Sequence, residues 1–262
     1  SHFLDSLVTE GALSYGEIVK SANYCNIPLY SPYICALISF TEQNRLLQTS
    51  EWLGTSALLR SQLADKWEML SGNISYAFAK YNNVILVLQQ SESLPVYEQV
   101  ALVREYCGDL MKMLSAKGQD RGVIFGIGDP VPSLAEFCRS YSQALRTVDL
   151  ASRICDERIA TYRRYILCEL IYDSPNAKLA LIQRIKPLLA YDEEHNTQLL
   201  YTLETYFNNC QNSVKTSKAL FIHRNTLLYR LDRIAEILDL NYNDSEQMLT
   251  FQLALKAFLM CQ

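Results

Sequence analysis

The stretch SVKTSKALFIHRNTLLYRLDRIAEIL, from Ser213 to Leu238, spells two short helices joined by a tight turn. In the second helix Leu227, Leu231, Ile234 and Leu238 recur at intervals of four, three and four, which makes one apolar stripe that must be buried. The other side carries Arg224, Asn225, Thr226, Tyr229, Arg230 and Arg233, side-chain types that contact phosphates and base edges. Between Ser213 and Arg233 the cations Lys215, Lys218, Arg224, Arg230 and Arg233 stand against Asp232 alone, a local charge of plus four on a chain of formal net charge −4. Most charged helix faces do nothing beyond staying solvated. Local positive charge on an acidic chain is different, because lysine and arginine displace condensed counterions from phosphates. The pattern implies a helix-turn-helix that reads double-stranded DNA, with Arg224 to Tyr229 nearest the bases and Lys215 and Lys218 on the flanking backbone. His223, at the start of the second helix, is expected to make a local hydrogen bond, with a phosphate contact as the rival role.

The residues around this pair are patterned to support it. Asn196 or Thr197 is expected to cap a helix through LLYTLETYF, whose Leu199, Leu200, Leu203 and Phe207 form the face that packs under the reading pair. NNCQN, Asn208 to Asn212, is rich in turn formers and breaks the chain before Ser213, the expected cap of the next helix. Ala219, Leu220 and Ile222 supply the small and apolar contacts between the two helices.

At 262 residues the chain is long enough for one large or two moderate domains. No apolar run reaches the roughly 18 residues of a membrane span, so no membrane partner is expected and a cytoplasmic location is. The first residues, Ser1 and His2, are not a start signal or a signal peptide, which leads us to expect a further domain upstream. The eight cysteines, Cys25, Cys35, Cys107, Cys138, Cys155, Cys168, Cys210 and Cys261, contain no CxxC pair and read as small core residues of a reducing compartment. His2, His195 and His223 lie at no zinc-site spacing, so neither metal nor cofactor is expected. GxSxG, HExxH, Walker and GxGxxG runs are absent, and the expectation is of no catalytic residue. GIG, at Gly126 to Gly128, reads as a strand end, and Asp192, Glu193 and Glu194 read as a solvated loop.

Upstream of the helical region the pattern changes from helical to mixed. Strands are predicted at Tyr33–Phe40, Ile74–Lys80, Val84–Gln89, Gly122–Ile127 and Arg158–Tyr162, with helices near Ser56–Leu70 and Val96–Ala116. Tyr81-Asn82-Asn83 suits a hairpin turn. Ser133 with Glu136 forms a capping-box sequence before LAEFCRSYSQALRTVDLASR. The β-α-β-β-α-β order with an added helix and strand is the split arrangement of a ferredoxin-like sheet, expected to be covered by helices on one face. Residues 3–26 read as amphipathic helix, and Arg163–Asp173 and Ala177–Leu189 as two connecting helices joined by DSPN. The fold class is therefore α+β. Its expected parts are a helical connector at 1–30, an α/β domain at 31–162, a helical linker at 163–190 and a helix-turn-helix domain at 191–262.

NAKLALIQRIKPLLAYDEEHNTQLLYTLETYFNNCQNSVKTSKALFIHRNTLLYRLDRI, from Asn176 to Ile234, resembles the C-terminal domain of PucR/CdaR-type bacterial transcriptional regulators, most sharply at HRNTLLYRL, His223 to Leu231. Its two-helix core is also similar to the Fis-type helix-turn-helix. GIGDPVPSLAEFCRSYSQAL, Gly126 to Leu145, is similar to the end of the GGDEF-like domain of the same regulators. The resemblance implies a sequence-specific transcriptional regulator that works as a homo-oligomer under a sensor signal, with a small-molecule effector acting through an upstream domain. True GGDEF domains condense GTP, which requires glycines beside phosphates and carboxylates on Mg²⁺. Here KYNNVILVLQQ puts Asn82 and Asn83 where the glycines would be, and Val84 and Ile85 where the acidic and following residues would be. The first strand also lacks an aspartate. The enzyme reading is rejected on that ground, and the alternative left open is a catalytically inactive GGDEF-like module that binds a small molecule or a protein.

Overall fold

Six consecutive buried residues, Tyr33 to Ile38, make β1 (Tyr33–Phe40) the centre of a five-stranded sheet. The computed structural model describes residues 2–40, 63–81, 83–154 and 157–260. The chain divides into two units, Ser1–Ile166 and Leu167–Gln262, and the sheet belongs to the first. Its other strands are β2 (Ser75–Lys80), β3 (Asn83–Gln89), β4 (Val123–Ile127) and β5 (Ile159–Thr161), in the spatial order β2-β3-β1-β4-β5. β1 runs antiparallel to both β3 and β4, β2 and β3 form an antiparallel hairpin, and β5 lies parallel to β4. The first four strands thus take the expected split arrangement. The parallel fifth strand requires a crossover, supplied by α5 (Phe137–Ile154).

Side chains alternate across a strand, so an unbroken apolar run such as YICALISF must find a core on each face. Tyr33, Cys35 and Leu37 join Phe78, Ile85 and Val87 in one core with Phe137, Tyr141 and Ala144 from the α5 side, and with Leu4, Leu7 and Ala22 from the N-terminal segment. Ile34, Ala36 and Ile38 join Val84, Leu86 and Leu88 in a second core against Val103, Tyr106 and Leu110 of α4 (Val96–Ala116) and Trp67 of the helical run 63–71, here α3. Helices therefore cover both faces, and the expectation of one covered face is corrected. The expected start of α3 at Ser56 falls outside the described residues.

Other local expectations are also revised. Residues 3–26 are not one helix but α1 (His2–Ser6) and α2 (Tyr15–Tyr24), and α2 opens on a complete capping box between Ser14 and Glu17. The Ser133–Glu136 box does not form: Leu134–Glu136 winds as a 3₁₀ turn, the Ser133 side chain caps nothing, and Glu136 pairs with Arg139 at 3.3 Å. Cys35 and Cys107 do serve as core residues, whereas Cys25 and Cys210 are exposed. No described helix is long and apolar enough to cross a membrane.

The GIG run has a packing role. A β-carbon on Gly126 would lie 2.3 Å from the Ala144 carbonyl oxygen, and one on Gly128 would lie 2.1 Å from that of Ser140. Both contacts are with backbone of α5, so the missing side chains are what let the helix approach the sheet. Ser140 uses this proximity: its Oγ accepts from the Cys35 amide at 2.9 Å, while the Gly128 amide donates to the Cys35 carbonyl at 3.0 Å. We expect Gly128→Ala to destabilise the chain by about 3 kcal/mol, the upper end of overpacking costs, because α5 must slide to admit the methyl. Urea unfolding monitored by the fluorescence of buried Trp67 checks this, with Gly16→Ala as control, since nothing lies within 4 Å of a β-carbon there.

Candidate nucleic-acid interface

After β5 the chain winds through α6 (Tyr162–Tyr172), and in the second unit α7 (Pro175–His195), α8 (Leu199–Asn208), α9 (Ser213–Ala219), α10 (Arg224–Leu238) and α11 (Ser245–Leu259) follow one another. α10 buries the predicted stripe, Leu227, Leu231, Ile234 and Leu238, in a core with Ile185 and Leu188 of α7, Leu199 and Leu203 of α8, and Met248, Phe251 and Leu255 of α11. Leu200 and Phe207 pack at its margin, and Leu220 and Ile222 close it from the turn. One side of α10 is thereby committed to the interior.

The entry to the reading pair is built differently from the sequence expectation. α7 runs on to His195, so Asp192, Glu193 and Glu194 are helical and do not form a loop. Asn196, expected to start α8, ends α7 with a left-handed φ of 50° that asparagine tolerates well. This reversal brings the Asp192 carboxylate to α8, where it accepts from the amides of Leu199 and Leu200, both at 2.8 Å, and from the Thr197 hydroxyl. Asp192 therefore caps α8 from the preceding helix, in the position where the helix dipole favours an anion. The expected caps, Asn196 and Thr197, do not fill that role. At α9 the cap is Asn212 and not Ser213: its Oδ1 accepts from Val214 and Lys215. Thr216 and Ser217 are buried, which leaves Lys215 and Lys218 exposed.

The chain then turns through a Schellman motif, with the Ile222 amide donating to the Ser217 carbonyl at 3.0 Å and the Phe221 amide to that of Lys218 at 3.2 Å. His223 is the N-cap of α10, its Nδ1 accepting from the Asn225 amide at 3.2 Å. That bond requires a lone pair on Nδ1, so in the neutral ring the proton is on Nε2. Arg224, Asn225, Thr226 and Tyr229 are exposed beside it on the first two turns. Among the described residues no carboxylate pairs with Lys215, Lys218 or Arg224.

The two remaining arginines are held within the unit. The Arg230 Nη1 donates to Thr202 Oγ1 at 3.1 Å, and Thr202 in turn donates to the Gln198 carbonyl. Arg233 donates to the Tyr191 hydroxyl at 3.2 Å and to Glu236 at 2.7 Å, and its guanidinium lies 4.9 Å from the centre of the Tyr191 ring. The Tyr191 bond, then the Glu236 bond, push its pKa above the usual arginine value. Tyr191 also stacks on His195, centroids 4.0 Å apart. Beyond Arg230 the exposed side of α10 carries Asp232 and Glu236, and half-exposed Arg233 pairs with Glu236, so positive charge not offset by a carboxylate lies toward the start of the helix.

In the first unit, Tyr81 follows β2 with a φ of 53° in the hairpin to β3, and Asn82 lies outside the described residues. Val84 and Ile85, in the positions compared above with acidic residues, are core side chains. Among the described residues no group of three His, Cys, Asp or Glu is placed to hold a metal ion.

Comparison with known proteins agrees with both units. Residues 199–257 match the PucR C-terminal helix-turn-helix domain, and residues 10–150 match a GGDEF-like domain. The chain is 27% identical over 187 residues to the proline-responsive transcriptional activator PutR of Bacillus subtilis (strain 168), which covers 67% of this chain and 43% of PutR. It is 30% identical over 131 residues to the carbohydrate diacid regulator of Escherichia coli (strain K12), covering 50% and 34% of the respective chains. Identity with the purine catabolism regulatory protein of B. subtilis (strain 168) is 26% over 273 residues, covering 98% of this chain and 48% of that one. The chain thus spans less than half the length of these curated relatives.

The Asp192 cap sets the start of the helix beneath α10. Replacing Asp192 with alanine removes an anionic acceptor from two backbone amides, and we expect a loss of about 2 kcal/mol, the upper range for helix caps. Thermal unfolding followed by circular dichroism measures it. Thr197→Val, which leaves both amide bonds in place, should cost less than half as much.

Proposed function

The chain belongs to the PucR family of regulators, with a GGDEF-like domain followed by a PucR C-terminal helix-turn-helix domain, and from that premise we propose that it is a sequence-specific DNA-binding transcriptional regulator of the cytoplasm. The observation that carries the proposal is the division of α10: four buried apolar side chains on one side, and Arg224, Asn225, Thr226 and Tyr229 exposed at its first two turns on the other. The start of α10 enters the major groove. Arg224 reaches guanine or phosphate, Asn225 is the bidentate group that suits adenine, and Tyr229 and Thr226 add hydroxyl contacts. Lys215 and Lys218 hold the backbone from α9, and the His223 Nε2–H donates to a phosphate. Arg230, anchored to Thr202, contributes charge at the edge, and Arg233 positions the helix through Tyr191. Asp232 and Glu236 keep the far end of α10 away from the phosphates.

Two turns of helix read few base pairs, so the regulator acts as a homo-oligomer on paired half-sites about 34 Å apart or a multiple of that. The proline named for PutR supports a small-molecule effector here as well. The effector shifts the spacing of two reading heads. The division of labour follows the two units, with the sheet unit, Ser1–Ile166, as scaffold and the helical unit, Leu167–Gln262, whose core includes Ile185 and Leu188, as reading head.

The test begins with duplexes selected from a random pool by the purified chain. Arg224→Ala and Lys218→Ala should each weaken retention and lower the slope of log affinity against log salt by about one phosphate. Asn225→Ala should relax preference at one base pair, by about 1–3 kcal/mol of discrimination. Arg233→Ala should reduce stability with the slope unchanged. Salt-independent retention with no selected sequence would contradict the proposal and point to a protein partner.

A further inference from the structure

Phe221 occupies the turn between α9 and α10 with a φ of 54° and 95% of its surface exposed. Both features are unfavourable. A bulky residue in the left-handed region clashes with its own backbone, and in a Schellman turn this position ordinarily takes glycine. An exposed phenyl ring also leaves its apolar surface in water, with no hydroxyl or indole nitrogen to offset it. Ile222, the next residue, already provides the apolar contact that closes the motif, so the ring adds nothing to the turn. Backbone strain and an unburied aromatic at one position indicate that the side chain is used when the surface is covered.

What covers it follows from its neighbours. Exposed Lys218 and Arg224 each lie three residues away, and exposed His223 caps the helix that begins just beyond. Lysine is depleted in protein–protein interface cores, whereas a duplex offers phosphates for the cations and, on the floor of the major groove, one strongly apolar group: the C5-methyl of thymine. We propose that Phe221 is a specificity-determining residue that packs on a thymine methyl at the edge of the site read by α10. This rests on the DNA-reading assignment above and deepens it. The glycine otherwise expected at this turn would give the same fold without the base preference.

The test uses duplexes selected by the wild-type chain, in which each thymine is replaced in turn by uracil, which lacks only the methyl. For the wild type, one replacement should weaken binding about fourfold, the worth of one buried methyl. Phe221→Ala should bind the thymine duplex several-fold more weakly and lose sensitivity to that one replacement, while keeping the wild-type salt slope. Phe221→Gly should do the same with a melting temperature no lower than wild type, since glycine relieves the backbone. Unchanged affinity and an unchanged uracil profile in either variant would overturn the proposal, as would a loss that leaves the uracil profile intact. If the wild type itself selects no sequence, the DNA-reading assignment fails first, and this inference fails with it.

Discussion

The one-sided burial of α10 is the constraint on which the rest depends. Leu227, Leu231, Ile234 and Leu238 can leave water only against α7, α8 and α11, and once they do, the orientation of every other residue on the helix is fixed. Arg224, Asn225, Thr226 and Tyr229 are then outside as a consequence of the apolar stripe. Three polar devices refine the pose. Asp192 fixes the start of α8, Thr202 on α8 holds Arg230, and Tyr191 on α7 holds Arg233. The first ties α7 to α8, the other two tie α10 to α8 and to α7, and each uses a charged group, for which a hydrogen bond is stronger than between neutral groups. These bonds hold α10 in a fixed pose on the helices beneath it.

The first unit shows a similar economy. β1 is buried on both faces, and Gly126 on β4 and Gly128 just past its end lack the side chains that would keep α5 at a distance. The places where a nucleotide-condensing relative needs glycine and carboxylate hold Asn83, Val84 and Ile85, of which the last two serve the cores. The sheet is therefore specialised for packing at the positions where phosphate and metal chemistry would otherwise be found.

The sequence was most legible where one periodicity governs a long segment. The strands and α4 fall within a residue or so of expectation, because alternating or 3.6-residue patterns are read directly from composition. Legibility failed where the deciding contact is distant in the chain. Asp192 looked like part of a solvated acidic run, since its partners, Leu199 and Leu200, are reached only after Asn196 reverses the backbone. Ser133 and Glu136 have a capping-box spacing that the 3₁₀ turn does not use, while Ser14 and Glu17, at the same spacing, form one. The second covered face of the sheet was visible in YICALISF, whose apolar run has no polar alternation. Phe221 gave no periodic signal at all. Its significance comes from a backbone angle, which the sequence alone does not state.

Amide hydrogen exchange of the chain with and without a selected duplex tests the central claim most directly. Binding through the exposed start of α10 predicts slowed exchange across residues 213–230, covering α9, the turn and the first turns of α10, with the amides of the sheet unchanged. Slowing confined to the first unit, with 213–230 exchanging as in the free chain, would contradict it.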